Sequence, residues 1–125
     1  MTKKHILLFE KYDGVRFVLE RSLSRRKEPI EIHSSSQKEN IKATLTENHI
    51  DLLITELTSL DKDGMEITKY AREVSPDLKI IWITVLGCDV FRKQKKQLGD
   101  VQCYEKPVDI THFRRGVMDA LLREA

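Results

Sequence analysis

The chain has 125 residues, 40% apolar and 34% charged, with a formal net charge of +2. That is the length of one domain with a core of its own, and its balance gives no bulk-charge argument for nucleic acid. A membrane-spanning helix is excluded, because no apolar run approaches roughly 18 residues; so are a disulfide framework and a zinc site, because Cys88 and Cys103 come with no CxxC and no His/Cys cluster.

The two cysteines read as reduced thiols of a cytoplasmic protein. The N-terminus, MTKKHILLFE, is basic and then apolar, but Glu10 ends the run too early for a signal peptide. His5–Phe9 is therefore read as a first strand. Val15, Val18, Leu19 and Leu23 then fall on one helical face, with Asp13 where an N-cap belongs. Ile30–Ile32 alternates into His33, as an edge strand can. A weaker helical pattern over Gln37–His49 has Ile41 and Leu45 as anchors. Leu52–Ile54 is nearly all apolar and runs into Thr55 and Glu56. Ile67, Tyr70, Ala71 and Val74 mark the next helix, opened by Asp63 and stopped at Ser75-Pro76. Ile80–Ile83 is another buried strand, with Trp82 and Tyr70 read as core or near-core packing. Val90–Leu98, opened by Asp89 and closed by Gly99, is mostly Lys, Arg and Gln and should lie exposed. Val101–Tyr104 is the last strand, and Asp109 opens a helix bearing Ile110, Phe113, Val117 and Leu121.

Five strands in strict alternation with helices imply an α/β fold: a flavodoxin-like (βα)5 three-layer sandwich with a parallel sheet in the order 2-1-3-4-5. A single domain is expected over residues 1–125. In such sheets the site lies beyond the carboxyl ends of the strands. Here those ends carry Glu10-Lys11, Thr55-Glu56, Thr84-Val85 and Glu105-Lys106-Pro107.

At this rim the sequence resembles the response-regulator receiver domain of two-component signalling, over essentially the whole chain. The resemblance places Glu56 where the family has its phosphoaccepting aspartate, with Asp63-Gly64 following at family spacing. Thr84 takes the Thr/Ser position and Lys106-Pro107 the Lys-Pro position. It also exposes departures. The acidic pair is Glu10-Lys11, the loop Pro is Leu60, the small residue after Thr84 is Val85, and the switch aromatic is Cys103. Tyr104 stands next to Cys103 and should face the other side of its strand.

A receiver of this family holds Mg²⁺ with carboxylates. Glu in place of Asp moves the carboxylate out by roughly one carbon–carbon bond, about 1.5 Å, against a metal–oxygen distance of about 2.0–2.1 Å. Glu10, Glu56, Lys11 and Lys106 sum to about zero charge, whereas the family pocket is about −2. Magnesium binding is therefore expected to be lost, with no other cofactor or metal, and the ammonium of Lys11 or Lys106 is expected to serve Glu56 as a counter-ion. Lys11 could instead extend along the surface. Val85 should crowd the phosphoryl position, Glu56 should project toward Thr84 and Lys106, and one locked conformation is expected.

The resemblance implies a degenerate, non-enzymatic signalling module in the cytoplasm, acting by protein contact rather than phosphorelay. The alternatives are an orthodox phospho-accepting regulator and a transcription regulator acting through a basic helix 4 face. That face would gather Arg92, Lys93, Lys95 and Lys96 with Tyr104 and with Arg114, Arg115 and Arg123, on the helix 4–strand 5–helix 5 surface where the family docks dimers and output partners. A kinase, an output domain or a second copy would dock there; nucleic acid would be reached only through an attached output domain. Asp61 and Asp63 read as a loop aspartate and a helix cap. His5, His33, His49 and His112 read as scattered, without ligand spacing.

Overall fold

The computed structural model describes residues 3–24 and 29–122. In chain order these form β1 (Lys4–Phe9), α1 (Asp13–Ser24), β2 (Ile30–Ser35), α2 (Lys38–Glu47), β3 (Leu52–Leu57), α3 (Asp63–Val74), β4 (Lys79–Thr84), a 3₁₀ turn (Cys88–Phe91), α4 (Arg92–Leu98), β5 (Val101–Glu105) and α5 (Ile110–Leu122). The five strands make one parallel sheet, β2-β1-β3-β4-β5, as the alternation of runs predicts.

Period-2 alternation divides the apolar residues between two helix layers. Ile6, Leu8, Leu52, Ile54, Ile81 and Ile83 face α1 and α5, where Leu19, Leu23, Phe113 and Val117 meet them. Leu7, Phe9, Leu53, Ile80 and Trp82 face α2 and α3, against Ile41, Leu45, Ile67 and Ala71. Trp82 is fully buried, and its indole N–H donates to Thr68 Oγ1 at 3.0 Å. On α3, Arg72 holds four carbonyls together: those of Leu98, Pro76, Leu78 and Asp100.

Several local expectations shift. Val18 and Val74 are exposed rather than buried, because Val18 sits at the margin of its apolar stripe and Val74 in the last turn of α3. Asp13 and Asp63 are the first residues of their helices rather than caps ahead of them. The first helix is instead preceded by a tight turn in which the Tyr12 N–H donates to Glu10 Oε2, and Asp61 Oδ1 accepts the Asp63 N–H at the start of α3. Asp89 lies inside the 3₁₀ turn, paired with Arg92. Asp109 does cap α5, accepting the His112 N–H at 2.9 Å. Gly99 closes α4 at φ +87, a backbone angle that disfavours any side chain.

The reading of reduced cysteines is corrected. Cys88 and Cys103 are joined as a disulfide with their Cα atoms 6.0 Å apart. Register explains the meeting: Cys103 lies beside Trp82 on β4, and Cys88 stands just past the end of that strand. A composition argument about redox compartment carries no information on that juxtaposition.

Candidate functional site

Parallel register brings the strand ends to one rim: Phe9 pairs with Thr55, Leu57 with Thr84, and Thr84 with Glu105. Glu56 is therefore the penultimate residue of β3, still within the strand, and is 2% exposed. Glu10 follows β1 and is fully buried. Lys106 follows β5, its N–H held by the Thr84 carbonyl at 2.6 Å.

The Lys106 ammonium sits between the two acids, 2.5 Å from Glu10 Oε1 and 3.1 Å from Glu56 Oε2. The first contact is an ion pair only, because Glu10 Oε1 meets no donor at hydrogen-bonding angles. The outer oxygens take backbone donors. Glu56 Oε1 accepts the Lys11 N–H at 2.9 Å, and Glu10 Oε2 accepts the Tyr12 N–H at 3.0 Å. The Arg16 guanidinium fixes the Glu10 carbonyl at 2.8 Å, and the Lys106 ammonium also lies 5.4 Å from the Tyr12 ring centroid.

Of the two lysines, only Lys106 uses its ammonium on Glu56. Lys11 contributes its backbone, and its ammonium turns to Asp61 at 2.5 Å and Asp63 at 2.9 Å. The neutral sum of Glu10, Glu56, Lys11 and Lys106 thus does not describe the buried pocket. Two acids face one cation there. The Glu10 carboxyl is pushed up to about 7, first by burial and then by the neighbouring Glu56 carboxyl, while Lys106 and the Tyr12 N–H pull the other way. Burial works against the Lys106 charge, but Glu10 and then Glu56 outweigh it and raise its pKa. Asp61, then Asp63, raise Lys11, and Lys11 in turn holds Asp61 below the usual carboxylate range.

A hard divalent ion such as Mg²⁺ needs several carboxylate or carbonyl oxygens converging on one point in near-octahedral array. Here all four oxygens of Glu10 and Glu56 already meet an N–H or the Lys106 ammonium, and that ammonium occupies the space between the acids. The residues do not fit the metal.

The other rim positions also depart from expectation. Thr84 is fully buried and its hydroxyl accepts the Leu86 N–H at 3.1 Å, while Glu56 Oε2 accepts from the Lys106 ammonium. Val85 is 68% exposed and borders an apolar groove with Val15, Val18 and Pro107 instead of crowding the pocket. Tyr104 faces away from Cys103, as strand alternation requires, and packs edge-on against Phe113 and His112. Gly64, of the Asp-Gly pair, is needed for contact: a Cβ there would lie 1.9 Å from the Glu56 carbonyl oxygen. Glycine alone lets α3 press against the strand that carries Glu56.

The basic surface is smaller than the sequence suggests. Arg92, Lys93, Lys95 and Lys96 are exposed on α4. Arg114, however, donates to the Ser22 carbonyl of α1 at 3.0 Å, so it faces the opposite neighbour. Arg123 lies outside the described residues. The histidines are not all scattered, since His5 and His33 stack at 5.5 Å between ring centroids, beside Glu31. The sequence reading also missed Asp61 as the partner of Lys11 and Arg16 as the support of Glu10. No local pattern marks either: one contact spans fifty positions and the other runs to a backbone oxygen.

Residues 6–117 match the response regulator receiver domain family. The chain is 25% identical over 121 residues to the response regulator protein PilR of Pseudomonas aeruginosa, covering 97% of this chain and 27% of that protein. It is 24% identical over 117 residues to sporulation initiation phosphotransferase F of Bacillus subtilis, covering 94% of this chain and 93% of that protein. It thus spans about a quarter of the Pseudomonas relative and nearly all of the Bacillus one. A CheY-like receiver domain protein of Methanospirillum hungatei superposes at TM-score 0.83 and 18% identity, over 96% of this chain and 94% of that one. The receiver domain of an HD domain-containing protein from Pseudomonas fluorescens superposes at TM-score 0.84 and 19% identity, over 97% and 88%. The strand order, the residues gathered at the carboxyl rim and the match across residues 6–117 lead to one conclusion: the chain belongs to the response regulator receiver domain family of two-component signalling.

Proposed function

We propose that this receiver signals by protein contact without accepting a phosphoryl group. The observation that carries the reading is the position of the Lys106 ammonium, within 2.5 Å of Glu10 and 3.1 Å of Glu56. Phosphoryl transfer to a carboxylate is mostly positioning and charge stabilisation, with metal ions neutralising the charge that develops. A nucleophile already hydrogen-bonded through both oxygens, with an ammonium where a divalent ion would be needed, lacks both. Treatment of the chain with acetyl phosphate and Mg²⁺ should leave its intact mass unchanged. A Mg²⁺-dependent phosphoryl adduct mapped to Glu56 would overturn the reading.

The contact surface in this reading is α4–β5–α5, and the partner is a protein with an acidic docking patch: a kinase, an output domain or a second copy. Four exposed cations on one short helix favour it, through electrostatic steering and choice of partner more than through raw affinity. Nucleic acid would be reached only through an attached output domain. No described helix is long and apolar enough to cross a membrane. Charge reversal at Lys93→Glu and Lys96→Glu should abolish signalling output in cells while leaving the melting temperature unchanged. Output that survives the reversal removes this surface from the proposal.

A further inference from the structure

Away from the carboxyl rim, β1 and β2 bring three side chains to a point that neither the signalling site nor the core uses. His5 lies opposite Glu31 in the register, and His33 lies two positions further along β2. Alternation puts all three on the same face of two adjacent strands. They are half-exposed, with side-chain accessibilities of 30%, 43% and 29% for His5, Glu31 and His33. Asp51 Oδ2 accepts the His5 N–H at 2.8 Å and fixes the start of β1.

One atom of each residue meets the other two. His5 Nδ1 lies 3.2 Å from His33 Nε2 and 3.3 Å from Glu31 Oε2, and His33 Nε2 lies 3.1 Å from Glu31 Oε2. Tetrahedral zinc has metal–ligand bonds of about 2.0–2.1 Å, which place neighbouring donor atoms about 3.3–3.4 Å apart. The triangle therefore has nearly the dimensions of one face of such a tetrahedron.

Protons alone serve this triangle poorly. If both ring nitrogens carry hydrogen, the nitrogen–nitrogen edge sets two donors against each other. If one carries it, the other nitrogen turns its lone pair toward the carboxylate. Every arrangement leaves one edge with like ends facing. A cation above the triangle accepts all three lone pairs at once. Lys3 does not supply it, because its ammonium lies toward the other carboxylate oxygen, 3.6 Å from Glu31 Oε1.

We propose that His5, Glu31 and His33 form a binding site for one zinc-class divalent cation. Two imidazoles and one carboxylate suit Zn²⁺ and its first-row neighbours, whereas Mg²⁺ prefers oxygen ligands throughout. Three protein ligands leave the fourth position open to water, as in open zinc sites. The ion would clasp the edge strand β2 to β1, at a site separate from Glu10, Glu56 and Lys106.

The test uses the full chain without an affinity tag, stripped with a chelator. Titration with Zn²⁺ should show one equivalent bound and a raised melting temperature, and Co²⁺ should give the intense visible bands of a tetrahedral complex. His33→Gln and Glu31→Gln should each weaken binding at least about tenfold, since even the outer partners of metal ligands are typically worth about 10–100-fold. His49→Asn, on the neighbouring turn where His49 pairs with Asp51 at 3.0 Å, should bind as wild type. Equal Zn²⁺ affinity in wild type, His33→Gln and Glu31→Gln overturns the proposal, as does a wild-type titration with no saturable binding. Far-ultraviolet circular dichroism of the stripped variants establishes that they are folded before titration.

Discussion

Lys106→Met should cost about 3–5 kcal/mol of unfolding free energy at neutral pH, the range for removing one partner of a buried ion pair. Among the described residues, its ammonium is the only side-chain cation on the Glu10 and Glu56 carboxylates, and both acids are almost wholly buried. Without it, two carboxyls face each other with only backbone N–H donors for support, a setting in which one must take up a proton. The loss should therefore shrink in acid, where Glu10 is protonated. Replacing Lys106, Glu10 and Glu56 together by methionine should cost far less than the single change, because an apolar cluster of similar volume has no stranded charge. Urea unfolding of the three proteins, compared at equal slope, measures this. A Lys106→Met variant within about 0.5 kcal/mol of wild type, the usual range for surface substitutions away from such features, would mean that the contact contributes nothing.

Stability should also fall as pH rises through neutrality, on account of Glu10. Its carboxyl has an ordinary value of 4.5 and is raised to about 7 in the fold. Between those values the folded chain keeps a proton that the unfolded chain has released. The stability contributed by this group is whole below 4.5 and is lost as the pH climbs through 7. At 1.36 kcal/mol per unit the full span amounts to about 3 kcal/mol. The quantity to measure is the difference between wild type and Glu10→Gln, which keeps the shape and lacks the step. Parallel stability–pH curves for the two proteins would show that Glu10 is ionised throughout.

Much of the architecture can be read directly from residue patterns. Apolar runs bounded by polar turns mark all five strands, although each strand extends at least one residue beyond its run at the carboxyl or amino end. Pro76, Gly99 and Asp109 act where their backbone chemistry requires. At the site, Glu10, Glu56, Thr84 and Lys106 reach one rim because parallel strands of similar length end together. Side-chain direction is less legible. Nothing near Lys11 says that its ammonium will choose Asp61, fifty positions away, over Glu56. Arg114 has the composition of an α4-facing cation and binds an α1 carbonyl. His5 and His33 are separated by 28 positions, and only the pairing of β1 with β2 makes them neighbours.

The bond between Cys88 and Cys103 spans 15 positions and encloses all of α4. A seven-residue helix, six of its residues Lys, Arg or Gln, has little tendency to persist by itself. Fastened at both flanks, it would meet the partner proposed above with its shape already decided. Association there would then sacrifice little conformational freedom, and long-range attraction rather than local ordering would set how fast the two proteins meet.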